Sequence, residues 1–200
     1  MLHPDTALAS IDGQGYGVVA TEHIPRGTVV WVQDSLDRLL SVDRVAGLPP
    51  LLRAAVRNHG YFDREGRIVL CWDHARYVNH SCEPNCVSPG HAFEIAVRDI
   101  EAGEQLTNDY LTLNLECDFE CQCRRPTFRR VLAASRAEDL ADHWDGLIRV
   151  AVPAVPSVPQ PLQSVMGEDD GRALDVAVQG ARPLRSCRWH LSPSLLSMPR

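Results

Sequence analysis

Two hundred residues with 44% hydrophobic content supply the core of one domain, and a formal net charge of -6 excludes the dense cationic footprint that tracks nucleic-acid phosphates. All twenty basic residues are arginine. No apolar run reaches bilayer-spanning length, and the amino end MLHPDTALASIDGQG lacks a signal peptide's basic region and apolar stretch, so an intracellular protein, cytoplasmic, nuclear or in the nucleoid, is expected with neither nucleic acid nor membrane as a partner.

Along the chain, the glycine-rich turn GQGYG (13–17) leads into YGVVA (16–20). TVVWV (28–32), RIVLC (67–71) and FEIAVR (93–98) follow as β-branched or alternating runs bounded by Gly, Pro and Asp, the mark of short strands. The fold class expected is mainly β with a few helices. PPLLRAAVRNHG (49–60) starts on proline, places Leu52, Ala55 and Val56 at helical spacing and closes on Gly60, which predicts a helix. From Ala137, AEDLADHWDGLIRV sets Leu140, Trp144, Leu147 and Ile148 on one face, and a second amphipathic helix is expected to pack on the domain. VPAVPSVPQP (152–161) favours extended, linker-like chain, and the last forty residues show no sustained period. The organisation read from these patterns is a domain over 1–125, a helix within 126–150, and a linker with a poorly ordered tail over 151–200.

Three stretches carry chemistry. YVNHSCEPNC (77–86) crowds an amide, an imidazole, a hydroxyl and two thiols into ten residues. Its spacing admits a metal site, a nucleophilic cysteine with its base, or a ligand-holding loop. Residues two apart in sequence rarely point at each other, which weighs against His80 and Cys82 as a nucleophile pair. Seven cysteines in a reducing compartment read as thiols or metal ligands; Cys82, Cys121 and Cys123 offer three zinc ligands, with Cys86 or Cys117 as a fourth. GQGYG alone is a weak phosphate-loop signal, having neither the dinucleotide spacing nor a following helix. GEQLTNDY (103–110), taken alone, is a turn with acids and a tyrosine.

The order of these pieces, Gly-x-Gly before a strand, then RYVNHSCEPNC, then FEIAVRDIEAGEQLTNDY, then FECQC, resembles the SET-domain protein lysine methyltransferases over residues 8 to 125. The resemblance implies a SET fold, short sheets around a pseudoknot, followed by a cysteine-rich post-SET segment. It implies S-adenosylmethionine as cofactor, bound by Asn79, His80 and Tyr110 and by the turn of Gly15, Tyr16 and Gly17, with Tyr110 as the catalytic residue beside the methyl donor. It also implies a basic, histone-like protein substrate carrying the target lysine, and zinc on Cys82, Cys121 and Cys123. Two positions depart from the family pattern: Phe128 stands where the last post-SET cysteine is expected, and Asn108 where an aromatic residue is usual. The first leaves open whether Cys117 completes a zinc site or the cysteines pack as small apolar side chains. A catalytically silent SET-like module that binds a protein partner is the alternative reading, against which the retention of Tyr110, Asn79 and His80 counts.

Overall fold

The computed structural model describes residues 1–192 except Glu116, Arg124, Pro126 and Phe128, so the departure at Phe128 lies outside the described residues. Strands are short throughout. In chain order they begin with β1 (Thr6–Ile11), β2 (Gly15–Ala20), β3 (Val29–Val32) and β4 (Arg38–Leu40). Helices α1 (Val42–Ala46) and α2 (Pro50–His59) intervene before β5 (Tyr61–Phe62), β6 (Ile68–Leu70), β7 (Asn79–His80), β8 (Cys86–Val87), β9 (Phe93–Ala96) and β10 (Thr107–Asn108). The chain continues with β11 (Phe119–Glu120), β12 (Val131–Leu132), α3 (Ala137–Ala151) and α4 (Glu168–Val178). A mainly β architecture of small sheets with a few helices and a carboxyl-terminal helix is the expected class, and it is what forms.

The sheets have two or three strands each. The hairpin β1–β2 turns at Gly13 and Gly15, both at positive φ (74° and 83°), where a side chain would strain the backbone. The three-stranded sheets are β3–β9–β8 and β4–β6–β5, all antiparallel. The pair that positions the site is parallel: β7 beside β10, with Asn79 opposite Thr107 and His80 opposite Asn108. Ser81 N–H and Asn85 N–H donate onward to the Asn108 and Thr107 carbonyls, so the two long sequence motifs lie side by side. Asn85, fully buried, locks the junction by accepting from Thr107 N–H at 2.7 Å and donating to the Gln105 carbonyl at 2.7 Å.

The first predicted helix is present, capped by Gly60 N–H on the Val56 carbonyl, but of its expected apolar face only Val56 is buried; Leu52 lies exposed. The second packs as its pattern requires. Trp144 has no exposed surface, and Ala141, Ile148 and Ala151 join it in the main core with Phe93, Ile95 and Leu132.

Beyond Val150 the structure departs from the expected linker and poorly ordered tail. The prolines sit in short 3-10 turns over Val152–Ser157 rather than in extended chain, with Val152 and Val155 buried. Leu162, Leu174 of α4, Cys187 and Leu191 all enter the same core. Gln160 accepts from Val29 N–H and donates to the Gly27 carbonyl, both at 2.9 Å. Asp170 of α4 accepts from Ala92 N–H at 3.2 Å and meets His91 Nδ1 at 2.8 Å. Each anchor is a single residue at irregular spacing, which leaves no period to read in the sequence.

Trp144→Ala is expected to lower unfolding free energy by about 3–5 kcal/mol, the cost of emptying a large buried aromatic site. Urea unfolding checks this, and a loss below about 1 kcal/mol would remove α3 from the core.

Candidate functional site

The site grows from the contact between the β2 hairpin and the parallel pair. A Cβ on Gly17 would stand 2.7 Å from Asn79 Nδ2, 2.7 Å from Gln105 Oε1 and 2.8 Å from Ile11, so only glycine lets these segments close. Asn79 Nδ2 donates to the Tyr16 carbonyl at 3.1 Å and to Gln105 Oε1 at 3.0 Å. Both amide hydrogens are used, and its Oδ1 accepts no hydrogen bond among the described residues. Tyr16 is 60% exposed and meets Tyr77 edge-on at 6.1 Å, leaving an open aromatic face beside the glycine turn. Gly15, Tyr16, Gly17 and Asn79 are therefore brought together.

Tyr110 follows β10 and reaches back to Val78, the residue before β7. Its hydroxyl donates to the Val78 carbonyl at 2.9 Å, and its ring contacts His80 at 5.4 Å and, edge-on, Phe119 at 5.6 Å. Burial pushes its pKa up to about 12, against a hydrogen bond from the backbone side. The phenol stays neutral at ordinary pH; with its proton committed to Val78, the oxygen is left as an acceptor.

The His80 ring is already committed within the protein. The side chain is 7% exposed and both ring nitrogens are engaged: Nδ1 accepts from Tyr110 N–H at 3.2 Å and Nε2 lies 3.3 Å from Cys82 Sγ. Burial draws its pKa down to about 4 despite the nearby Asp109 carboxylate, so the ring is neutral. A neutral imidazole that accepts at Nδ1 carries its proton on Nε2, aimed at the Cys82 sulfur. What His80 can offer a cofactor is its backbone, because the ring is turned to the thiols.

The thiols close a cluster. Cys82 Sγ is 3.6 Å from Cys121 Sγ, and Cys121 Sγ is 3.4 Å from Cys123 Sγ. The ligand atoms of His80, Cys82, Cys121 and Cys123 all lie within 4.8 Å of one another, a group able to hold a metal ion. Backbone N–H groups of Arg129 and Cys123 point at the Cys82 and Cys121 sulfurs at 3.3 and 3.5 Å, while burial pushes the Cys121 thiol up to about 12. Neither suggested fourth cysteine joins: Cys86 is buried beside Asn85 and Cys117 is exposed. His80 and Cys82 do meet, contrary to the sequence expectation, because β7 ends between them and lets the chain turn back; the company of two further thiols makes the group metal-like.

Beneath the site sits Asp109, which the sequence reading passed over. It is 2% exposed and accepts from Leu111 N–H at 3.2 Å, from Trp144 Nε1–H at 3.2 Å and from the Arg129 guanidinium. One carboxylate thus joins β10, the post-cysteine segment and α3. The neighbouring Asn108 is 8% exposed; its Nδ2 donates to Glu94 Oε1 at 3.1 Å, while its Oδ1 is buried with no partner. Glu94 was a legible oddity: an acid inside the strand run FEIAVR.

The match to known families falls on these segments. Residues 15–111 match the model of the SET domain. That stretch is a SET domain. The chain is 36% identical over 72 residues to the histone-lysine N-methyltransferase ATX2 of Arabidopsis thaliana, an overlap of 32% of this chain and 7% of that protein. It is 37% identical over 71 residues to the histone-lysine N-methyltransferase ASHR3 of the same plant, covering 32% and 14%. To the histone-lysine N-methyltransferase TRX1 of Oryza sativa subsp. japonica it is 38% identical over 71 residues, covering 32% and 7%. The chain therefore spans well under half the length of these curated relatives. No helix among the described residues is long and apolar enough to cross a membrane.

Asp109→Asn tests the hub of this SET domain. Removing one partner of a buried ion pair leaves Arg129 uncompensated, and a loss of about 3–5 kcal/mol is expected. Calorimetric unfolding measures it; an unchanged midpoint would mean the pair contributes nothing net.

Proposed function

We propose that this SET domain transfers a methyl group from S-adenosylmethionine to the side-chain nitrogen of a lysine in a basic, histone-like protein. The observation that carries the reading is the convergence at β7 of the glycine turn, held at Asn79, and of Tyr110, held at Val78 and His80. The residues fit such a cofactor: the unpartnered Asn79 Oδ1 would accept from its polar groups, the Tyr16 face lies open beside Gly17, where no Cβ fits, and Phe119 flanks the Tyr110 ring. The cofactor's contribution is an electrophilic methyl on a sulfonium.

The chain's own residues do the rest. Tyr110, neutral and with its hydrogen held by Val78, presents its oxygen as an acceptor to an amine hydrogen and so aims the nitrogen lone pair. The buried His80 ring and the half-exposed Phe119 ring pack against the Tyr110 ring and hold it in place. A lysine amine must lose its proton before it attacks, since its ordinary pKa is near 10.4, and desolvation beside a cation favours the neutral form. Positioning supplies most of the rate, with effective molarities of roughly 10⁵ M or more attainable.

Zinc would be held by Cys82, Cys121 and Cys123, and its role would be structural, fastening the cysteine segment to the end of β7. The tautomer that Tyr110 N–H selects directs a proton, not a lone pair, from His80 to the cluster, which makes His80 a hydrogen-bond donor to the Cys82 sulfur unless that bond is given up. The net charge of -6 suits a basic protein partner rather than nucleic acid, and an intracellular setting gives the thiols a reducing environment. The alternative, a silent module, predicts cofactor-independent partner binding and no label transfer.

The test is incubation of the protein with labelled S-adenosylmethionine and histones, followed by localisation of label on lysine. Tyr110→Phe should retain the fold and lose about 100-fold or more in turnover, as when one positioned polar group is removed at a reacting centre. Asn79→Ala should weaken cofactor binding by about 1–3 kcal/mol in calorimetry. Near-normal values in both variants would remove the basis for the site. Elemental analysis should find about one zinc per chain, lost in Cys121→Ser together with thermal stability; a metal-free, fully stable preparation would decide for simple packing of the thiols.

A further inference from the structure

Glu94 is the one carboxylate placed inside the β3–β9–β8 sheet, and the mechanism above gives it no work. It stands opposite Trp31 in the β3–β9 register, so the two side chains share a face, and Trp31 packs edge-on against Tyr61 at 6.5 Å. The acid is 8% exposed, and its one hydrogen bond among the described residues is the 3.1 Å contact from Asn108 Nδ2. The other end of that amide, Oδ1, is buried and unpartnered. A carboxylate accepts about four hydrogen bonds and an amide oxygen two, and Asn108 Nδ2 supplies the one hydrogen bond made to them; Trp31 Nε1–H on the same face is buried without a partner, so acceptors still outnumber donors. Native proteins rarely leave such groups unsatisfied. A ligand with several hydrogens to give and a positive charge is the complement, and an alkylammonium has three N–H donors.

We propose that Glu94, held in place by Asn108, is the acceptor for the target lysine's ammonium head and takes its proton before methyl transfer. The inference rests on the methyltransferase reading of the same site. In the step, one ammonium N–H bond breaks and the proton goes to a Glu94 carboxylate oxygen, which frees the nitrogen lone pair. That pair forms the new N–C bond as the methyl C–S bond breaks and its electrons return to sulfur, converting sulfonium to thioether. The methylated nitrogen leaves as a secondary ammonium, and the Glu94 proton passes to solvent between turnovers.

Asn108 connects this acid to the rest of the site, since it pairs with His80 across the parallel strands and lies two residues before Tyr110. Burial raises the Glu94 pKa to about 7, partly opposed by the Asn108 hydrogen bond, which suits a proton acceptor working near neutrality. The titratable groups facing it are Tyr61 of β5, Cys71 after β6 and Cys86 of β8; burial pushes each upward, so all are uncharged at pH 7.

The experiment compares wild type, Glu94→Gln and Asn108→Ala as full-length proteins with histones as methyl acceptor, measuring kcat against pH and, separately, S-adenosylmethionine binding by calorimetry. Wild-type kcat should fall as pH drops through about 7, where the acid takes up its proton. Glu94→Gln should lose about 100-fold or more in kcat, bind cofactor normally, and lack that limb. Asn108→Ala removes the donor that stabilises the carboxylate, so its limb should move to higher pH; this variant carries the test if the glutamine variant does not fold. Wild-type turnover in Glu94→Gln, or a limb that stays put in both variants, overturns the role of Glu94 while leaving the methyltransferase reading intact. A wild-type protein that neither binds the cofactor nor transfers label overturns both.

Discussion

A single negative charge placed where water cannot reach it governs this fold. Asp109 is buried beneath the end of β10, and an ionised carboxylate there is tolerable only if donors surround it. Those donors come from three segments, two of them distant in sequence: Leu111 N–H from its own turn, the Arg129 guanidinium from beyond the cysteines, and Trp144 Nε1–H from α3. The carboxylate can be satisfied only when all three segments have arrived. The β strands here are too short to specify a unique arrangement through ladder hydrogen bonds alone, so this convergence supplies the specificity that longer sheets would obtain from register.

Directly above it, His80 links two chemistries that would otherwise be independent. Its Nδ1 takes the Tyr110 N–H and its Nε2 faces the sulfur cluster. Anything that changes the charge on the thiols is felt at the backbone of the residue proposed to aim the amine, through one ring of fixed tautomer. The cysteine segment thereby acts on the geometry of the site as well as on the stability of the tail.

Much of this was legible in the sequence where local pattern and final environment agree. The strands at 16–20, 28–32, 67–71 and 93–98 and the helix from Ala137 are present within a residue or two, because alternation and 3.6-residue periodicity record which face is buried. The glycine pair, Asn79 and Tyr110 were legible through the order of motifs rather than through any one of them. Three features were not. Val152, Leu162, Leu174, Cys187 and Leu191 enter the core singly, so no window contains a period, and the prolines between them read as extended chain although a 3-10 turn accepts proline at its first position equally well. The meeting of His80 with Cys82 depends on a chain reversal that follows a two-residue strand. Asp109 looked like an ordinary surface acid in a turn, because its partners lie 20 and 35 residues away.

The Gln160 side chain has a further consequence. Its amide gives one acceptor to Val29 N–H and one donor to the Gly27 carbonyl, the same two bonds that a neighbouring antiparallel strand would make. A sheet with unmet backbone groups along its border is a template for another molecule's strand. Residues Met1 and His3 already pair with Val32 and Val30 along the rest of that edge, and one glutamine, delivered by a segment that carries no strand of its own, takes up the groups left at its start. Shortening the chain before Gln160 would therefore bare two backbone groups at the start of β3 as well as empty core volume.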